Sequence, residues 1–308
     1  MQIRLYLIPF IIFFPLFGFA SENEFPDPNM NYRPGIDRGI LKYSADSLKN
    51  QRKVVLTFDD GPDPVRTPQV LDILKKYGVH ATFFLVGNRV NLNTIPIAVR
   101  ALKEGHSLGA HSMNHVHSDD LTESEFKLDT ETILEKVHAI YTEARVEQNE
   151  FYYRFPFGEY GRANSKYHQF NALKYLSQSI FRSPTCINFV FWTLDSSDWL
   201  SGITPQEVYQ NVVSSFEGGT ITEFQKIGEN KFGKVARPAN RLEVTKGGVI
   251  LFHDIHSPTL SALPDILDYF LAHEIQVKKL TEVDEYSYAG KNCSYNNLRE
   301  NDEEPDFF

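Results

Sequence analysis

The sequence is poor in the features that announce several large protein classes. It has two cysteines in 308 residues, Cys186 and Cys293, too few and too far apart for a cysteine-rich metal site or a disulfide scaffold. They can form one disulfide, tying the C-terminal tail to the body, or remain two thiols. A basic excess is also missing: 31 Lys and Arg face 40 Asp and Glu, for a net charge of −9. That balance argues against nucleic acid or an anionic membrane surface as partner and is compatible with a neutral or cationic glycan. There is no internal repeat. Only one apolar run, Leu5 to Phe19, approaches a membrane span in length.

That run is short and is interrupted by Pro9 and Pro15. Arg4 precedes it, and Gly18-Phe19-Ala20 supplies small residues for cleavage before Ser21, so residues 1–20 read as a secretory signal. The expected product is exported, periplasmic or secreted, with no membrane partner once the signal is removed. Residues 21–52, rich in Pro, Asn and Asp, read as an extended arm. At 42% hydrophobic and 23% charged residues, the rest has an ordinary globular composition.

Strand and helix patterns alternate about seven times between residues 53 and 281, which argues for a parallel α/β barrel. Strands are expected at 53–58, 79–86, 106–110, 151–155, 188–195, 248–252 and 275–280. Helices are expected at 67–77, 95–103, 122–145, 164–179, 204–216 and 260–273. Thr122 with Glu125 has the spacing of a capping box, and Pro205 suits a first helical position. Residues 217–243 are glycine-rich, charged and poorly periodic, and are expected as a rim loop or an insertion. Weak order is expected in the acidic tail, residues 282–308.

Two stretches carry chemistry. Val54 to Phe58 is a nearly continuous apolar run, as in a strand buried on both faces, and it ends in Asp59-Asp60-Gly61-Pro62. The two carboxylates then sit at the C-terminal mouth of a strand, where parallel sheets place their chemistry. Neighbours on an extended chain point to different sides, so one carboxylate can bind a metal while the other acts on a water. His111 and His115 lie at i and i+4 and share a face if the chain takes a helical turn. Two imidazoles and one carboxylate make a three-ligand site with an open position. Spacing alone does not say which Asp binds metal. His117 is expected to face elsewhere.

Thr57-Phe58-Asp59-Asp60-Gly61-Pro62 and His111-Ser112-Met113-Asn114-His115 resemble the first two signatures of the polysaccharide deacetylase (NodB-homology) family. Arg154-Phe155-Pro156-Phe157-Gly158, Asp195-Ser196-Ser197-Asp198-Trp199 and Leu251-Phe252-His253-Asp254 resemble the other three, in the family's order. The resemblance covers roughly Lys53 to Leu280 and implies a distorted, incomplete (β/α)7 barrel.

It also implies a division of roles. Asp60, His111 and His115 are expected to hold a divalent cation, zinc first, with cobalt, nickel or manganese able to use similar ligands. Asp59 is expected as general base, oriented by Arg154, and His253 as general acid, supported by Asp198. Asp195 and Asp254 are expected in support. The main-chain N–H of Phe157 is expected to stabilise the oxyanion; the family usually has tyrosine there, but a main-chain donor survives that change. Leu251 and Trp199 are expected to line the pocket for the acetyl methyl, although Trp199 could equally be ordinary core.

The implied activity is N-deacetylation of N-acetylglucosamine in a polysaccharide, peptidoglycan first and chitin-type chains second. An acetylxylan esterase is an alternative within the family. A carbohydrate-binding homologue with a dead site is opposed by the complete set of polar residues. A hydrolase of small cyclic amides is opposed by the export signal.

Overall fold

Strand β1 (Lys53–Asp59) is buried from Val54 onward on both of its faces, and the rest of the domain is built around it. The computed structural model describes residues 45–159, 169–183, 186–229, 231–286 and 293. Residues 1–20, read as a signal, most of residues 21–52 and most of residues 282–308 lie outside the described residues.

Alternate residues of β1 enter two separate cores. Val54, Leu56 and Phe58 pack toward the helices, while Val55 joins the inner face with Phe84, Tyr152, Val190 and Val249. Phe58 stacks between Phe83 and Phe252, at 5.2 and 5.5 Å. The apolar run was therefore continuous because neither face meets water.

β1 is flanked by β2 (Ala81–Leu85) and β9 (Gly248–His253), both parallel to it. Beyond β2 lie β3 (Ser107–Ala110), β4 (Phe151–Tyr153) and β5 (Ile187–Phe189); beyond β9 lies β6 (Leu194–Asp195). A short β10 (Gln276–Val277) pairs with the start of β1. The helices α1 (Arg66–Tyr77), α2 (Ile95–Lys103), α3 (Glu123–Ala144), α4 (Gln169–Phe181), α5 (Pro205–Glu217) and α6 (Ser257–Ala272) fall between or after the strands. The sheet curls into an incomplete barrel, as expected. Thr122 and Thr204 both cap their helices through complete capping boxes. Among the described residues no helix is long and apolar enough to cross a membrane.

Three local expectations need correction. The run 188–195 is two strands rather than one. β5 sits at one edge of the sheet and β6 at the other, and Val190 to Thr193 crosses between them. Val190 N donates to Tyr153 O and Thr193 N to Val249 O, so irregular chain closes the gap that no strand fills. Residues 217–243 contain a regular antiparallel hairpin, β7 (Thr220–Gly228) and β8 (Lys231–Pro238). Its outer half is exposed on both faces, which is why its sequence shows no buried period. Finally, the chain just beyond Thr281 is packed: Val283 and Tyr286 are buried in the inner core with Ala45 and Leu48 of the arm. A disulfide joins Cys293 to Cys186, with Cα atoms 5.9 Å apart, so the tail is tied to the body.

Candidate active site

The C-terminal ends of β1, β9 and β3 deliver Asp59, His253 and the His111 loop to one mouth of the barrel. Asp59 and His253 are direct partners in the β1–β9 register. A cavity of about 420 Å³ opens there. Asp59, Asp60, His111, His115, His253 and Leu251 line it, with Phe157, Trp199 and Asp195 on its walls. Arg154 and Asp198 stand behind, fully enclosed.

Asp59 and Asp60 do not diverge as an extended chain would make them. Asp60 takes a left-handed backbone (φ 72°), which turns its carboxylate back to the same cavity. The turn is tight: a Cβ on Gly61 would run into the carboxylate of Asp254. The His111–His115 segment is not a helical turn either. Ser112 and His115 are both left-handed (φ 61° and 52°), and His115 N donates to Ser112 Oγ. The two rings end 5.0 Å apart. Strained backbone of this kind persists where surrounding structure fixes it. Here Gly87 N and Asn88 N hold the loop through the carbonyls of Ser112 and Met113.

Asp60, His111 and His115 each offer a ligand atom within 4.8 Å of the others. Nδ1 of His111 lies 2.8 Å from the Arg154 carbonyl, which accepts its proton and leaves the Nε2 lone pair facing the cluster. Asp60 Oδ1 is buried 3.1 Å from His115 Nε2 and 3.5 Å from His111 Nε2, yet forms no well-aligned hydrogen bond. An orphaned carboxylate oxygen among imidazole nitrogens suits a divalent cation. Burial raises the Asp60 carboxyl, but His115, His111 and His253 together outweigh it and hold it well below the usual range. Burial depresses His111, against the opposing charges of Asp59 and Asp60.

Asp59 has a different environment. Arg154 Nη1 donates to its Oδ1 at 2.8 Å and to Thr57 Oγ1 at 2.8 Å. Arg154 Nε donates to Val190 O and Nη2 to Phe191 O, so the guanidinium also pins the segment that closes the barrel. Its plane packs 4.2 Å over Phe84 and 5.6 Å from Trp192.

His253 is clamped through one carboxylate. Asp198 Oδ1 accepts from Nδ1 at 2.6 Å, and Oδ2 accepts from the His253 main chain at 2.7 Å and from the Thr259 hydroxyl. Burial opposes the imidazolium, but the charge and hydrogen bond of Asp198, then Asp59 and Asp60, raise His253 to about 10. Burial pushes Asp254 up to about 7, with the Thr67 hydroxyl bonded to it. Asp195 accepts from Ser197 N and from Trp199 Nε1, and its burial also raises it.

Phe157 is left-handed (φ 58°) and half exposed, its ring 4.6 Å from His115. Trp199 is 41% exposed, a wall residue and not core. His117 stacks on Phe157 and pairs with Glu159 at 3.0 Å. Thr57, which opens the first signature, supports the site, as do Thr259 and Trp192, which nothing in the sequence marked. Asp198 and Thr259 meet across 61 residues.

The sequence model of the family described as Polysaccharide deacetylase matches residues 47–176, which hold Asp59, Asp60, His111, His115, Arg154 and Phe157. Over those residues the chain is similar to the polysaccharide deacetylase family. It is similar to a peptidoglycan-N-acetylglucosamine deacetylase of Bacillus cereus, 32% identical over 63% of this chain and 63% of that one. A peptidoglycan-N-acetylmuramic acid deacetylase of Bacillus subtilis is 28% identical over 77% of this chain and 39% of its own length. The chain thus spans less than two thirds of these curated relatives. Among solved structures it resembles a family 4 acetyl xylan esterase from Clostridium thermocellum in complex with a cobalt ion. That likeness has 26% identity and a TM-score of 0.53, covering 75% of this chain and 89% of the other.

Proposed function

We propose that the protein is a metal-dependent deacetylase of N-acetylglucosamine residues in a polysaccharide, with peptidoglycan as the substrate. The observation that carries this reading is the pairing of two differently prepared groups at adjacent strand ends: Asp59 beside Arg154, and His253 on Asp198.

Asp60, His111 and His115 would hold a divalent cation, zinc in our reading, which would supply Lewis acidity to an amide carbonyl and a water. Asp59 takes a proton from the attacking water, and Arg154 fixes the carboxylate in position. The carbonyl oxygen gains charge as the C–O bond forms, and the main-chain N–H of Phe157 donates to it. Asp198 holds Nδ1 of His253, which leaves the Nε2 proton free for the amide nitrogen. Protonation lets the C–N bond break, giving acetic acid and an amine, and the acid then ionises to acetate. Transfer of a proton from Asp59 to His253 through solvent restores both groups. Leu251 and Trp199 bound the space for the acetyl methyl. Export is part of the same proposal. It is supported by the signal-like segment 1–20 and by a disulfide that suits an oxidising compartment.

The test is mass spectrometry of glycan strands after incubation with metal-loaded protein. Loss of acetyl on N-acetylglucosamine, with N-acetylmuramic acid untouched, is the expected result. Loss confined to muramic acid, or acetate released only from acetylated xylan, reassigns the substrate. No loss from any of them refutes the activity.

A further inference from the structure

Resting on that reading, we propose that the β7–β8 hairpin is a binding platform for the sugar units next to the one being deacetylated. Trp199 on the cavity wall lies 5.8 Å, edge to face, from Phe224 of β7. Phe224 in turn stacks at 5.6 Å on Phe232 of β8. Phe224 pairs with Lys234 and Phe232 with Lys226, so the two rings sit diagonally on one face of the ribbon. They are 50% and 55% exposed, and the row runs outward without a break from the site. Solvent-facing aromatic rows of this kind are costly unless something covers them. Their steps are comparable to the spacing of successive rings in a polysaccharide, whose apolar C–H faces stack on aromatic rings.

The second support is a cavity of about 380 Å³ between the hairpin, α5 and the end of β6. It shares Asp195 and Trp199 with the catalytic cavity, so the two adjoin. Glu223 and Glu243 line it and both hold Arg237. With Asp195 the wall is acidic on balance, which suits hydroxyls, acetamides and free amines and disfavours phosphate or uronate. The platform is also firmly mounted. Asn211 of α5, itself buried, donates to Thr222 O and Ser196 O and accepts from Thr222 N. One side-chain amide thus ties the hairpin to the loop that carries Asp198.

The probe is the pentamer of N-acetylglucosamine, set against 4-nitrophenyl acetate, which needs no sugar contacts. Phe224→Ala/Phe232→Ala should lower kcat/KM on the pentamer roughly tenfold and weaken pentamer binding alike, with 4-nitrophenyl acetate unaffected. Phe224→Trp should retain pentamer affinity. An equal fall on both substrates, or none on the pentamer, overturns the platform while leaving the deacetylase reading intact. If the unmodified protein deacetylates nothing, that reading fails, and pentamer-induced change in tryptophan fluorescence decides the platform alone. A response lost in the double variant supports it; no response in the unmodified protein overturns it. A concentration-dependent dimer broken by the double variant would assign the aromatic row to a second copy and overturn the proposal.

Discussion

Replacing Arg154 by Met keeps most of the stem's bulk and removes the charge. The guanidinium is wholly buried and makes four hydrogen bonds, to Asp59, Thr57, Val190 and Phe191. Without it Asp59, itself 2% exposed, loses the cation hydrogen-bonded to it and keeps only the charge of more distant imidazoles. Breaking a buried pair from one side costs about 3–5 kcal/mol. The carbonyls of Val190 and Phe191 also lose donors, which adds to the cost. Against a total of about 5–15 kcal/mol, the variant stands near the threshold of folding. Arg154→Lys keeps the charge but cannot reach all four acceptors, so a loss of about 1–3 kcal/mol is expected. The assay is urea unfolding of metal-stripped protein, so that ligand binding does not mask the change. The order should be unmodified, Lys, Met. A Met variant within about 0.5 kcal/mol of the unmodified protein would refute the claim that Arg154 is what makes a buried Asp59 tolerable.

Two further predictions concern His253 and the tail. Asp198→Asn removes the principal source of the raised His253 pKa. The alkaline limb of kcat/KM should move to lower pH, with turnover down roughly 10²-fold at neutral pH; an unmoved limb would mean that another group is the acid. Because the folded value of about 10 exceeds the free 6.5, the His253 pair stabilises fully below pH 6.5 and its contribution fades as pH rises through 10. Urea midpoints of metal-stripped protein should therefore fall between pH 7 and 10, and less so in Asp198→Asn. Cys293→Ser should cost about 2–4 kcal/mol, since the bridge closes a loop of 107 residues; unchanged stability together with free thiols in peptide mapping would contradict the pairing.

What was legible in the sequence was local. The boundaries of α2, the capping box of α3, the Pro205 start of α5, and the apolar strands β1 and β9 all follow from pattern. The residues singled out for the site meet at one end of the barrel because each signature ends a strand or follows one. What the pattern hid was backbone sense. Asp60, Ser112, His115 and Phe157 adopt left-handed conformations that no residue type there demands. These turn side chains that an extended or helical chain would have aimed elsewhere. The split of β5 from β6 was hidden for another reason. An aromatic run that crosses the barrel mouth is as apolar as a strand, and only the partners of Val190 and Thr193 distinguish them. Asn211 and Thr259 carried no signal, since their partners lie far off in sequence or in main chain.

The central claim is that Asp59 and Asp60, neighbours in sequence, do different work. Metal content and acetate release should be measured together on Asp59→Asn and His115→Ala, each beside the unmodified protein and with the N-acetylglucosamine pentamer as substrate. Asp59→Asn should keep its metal and lose nearly all turnover, while His115→Ala should lose metal and turnover together. Metal retained at full stoichiometry in His115→Ala, or acetate released at an undiminished rate by Asp59→Asn, would contradict the account.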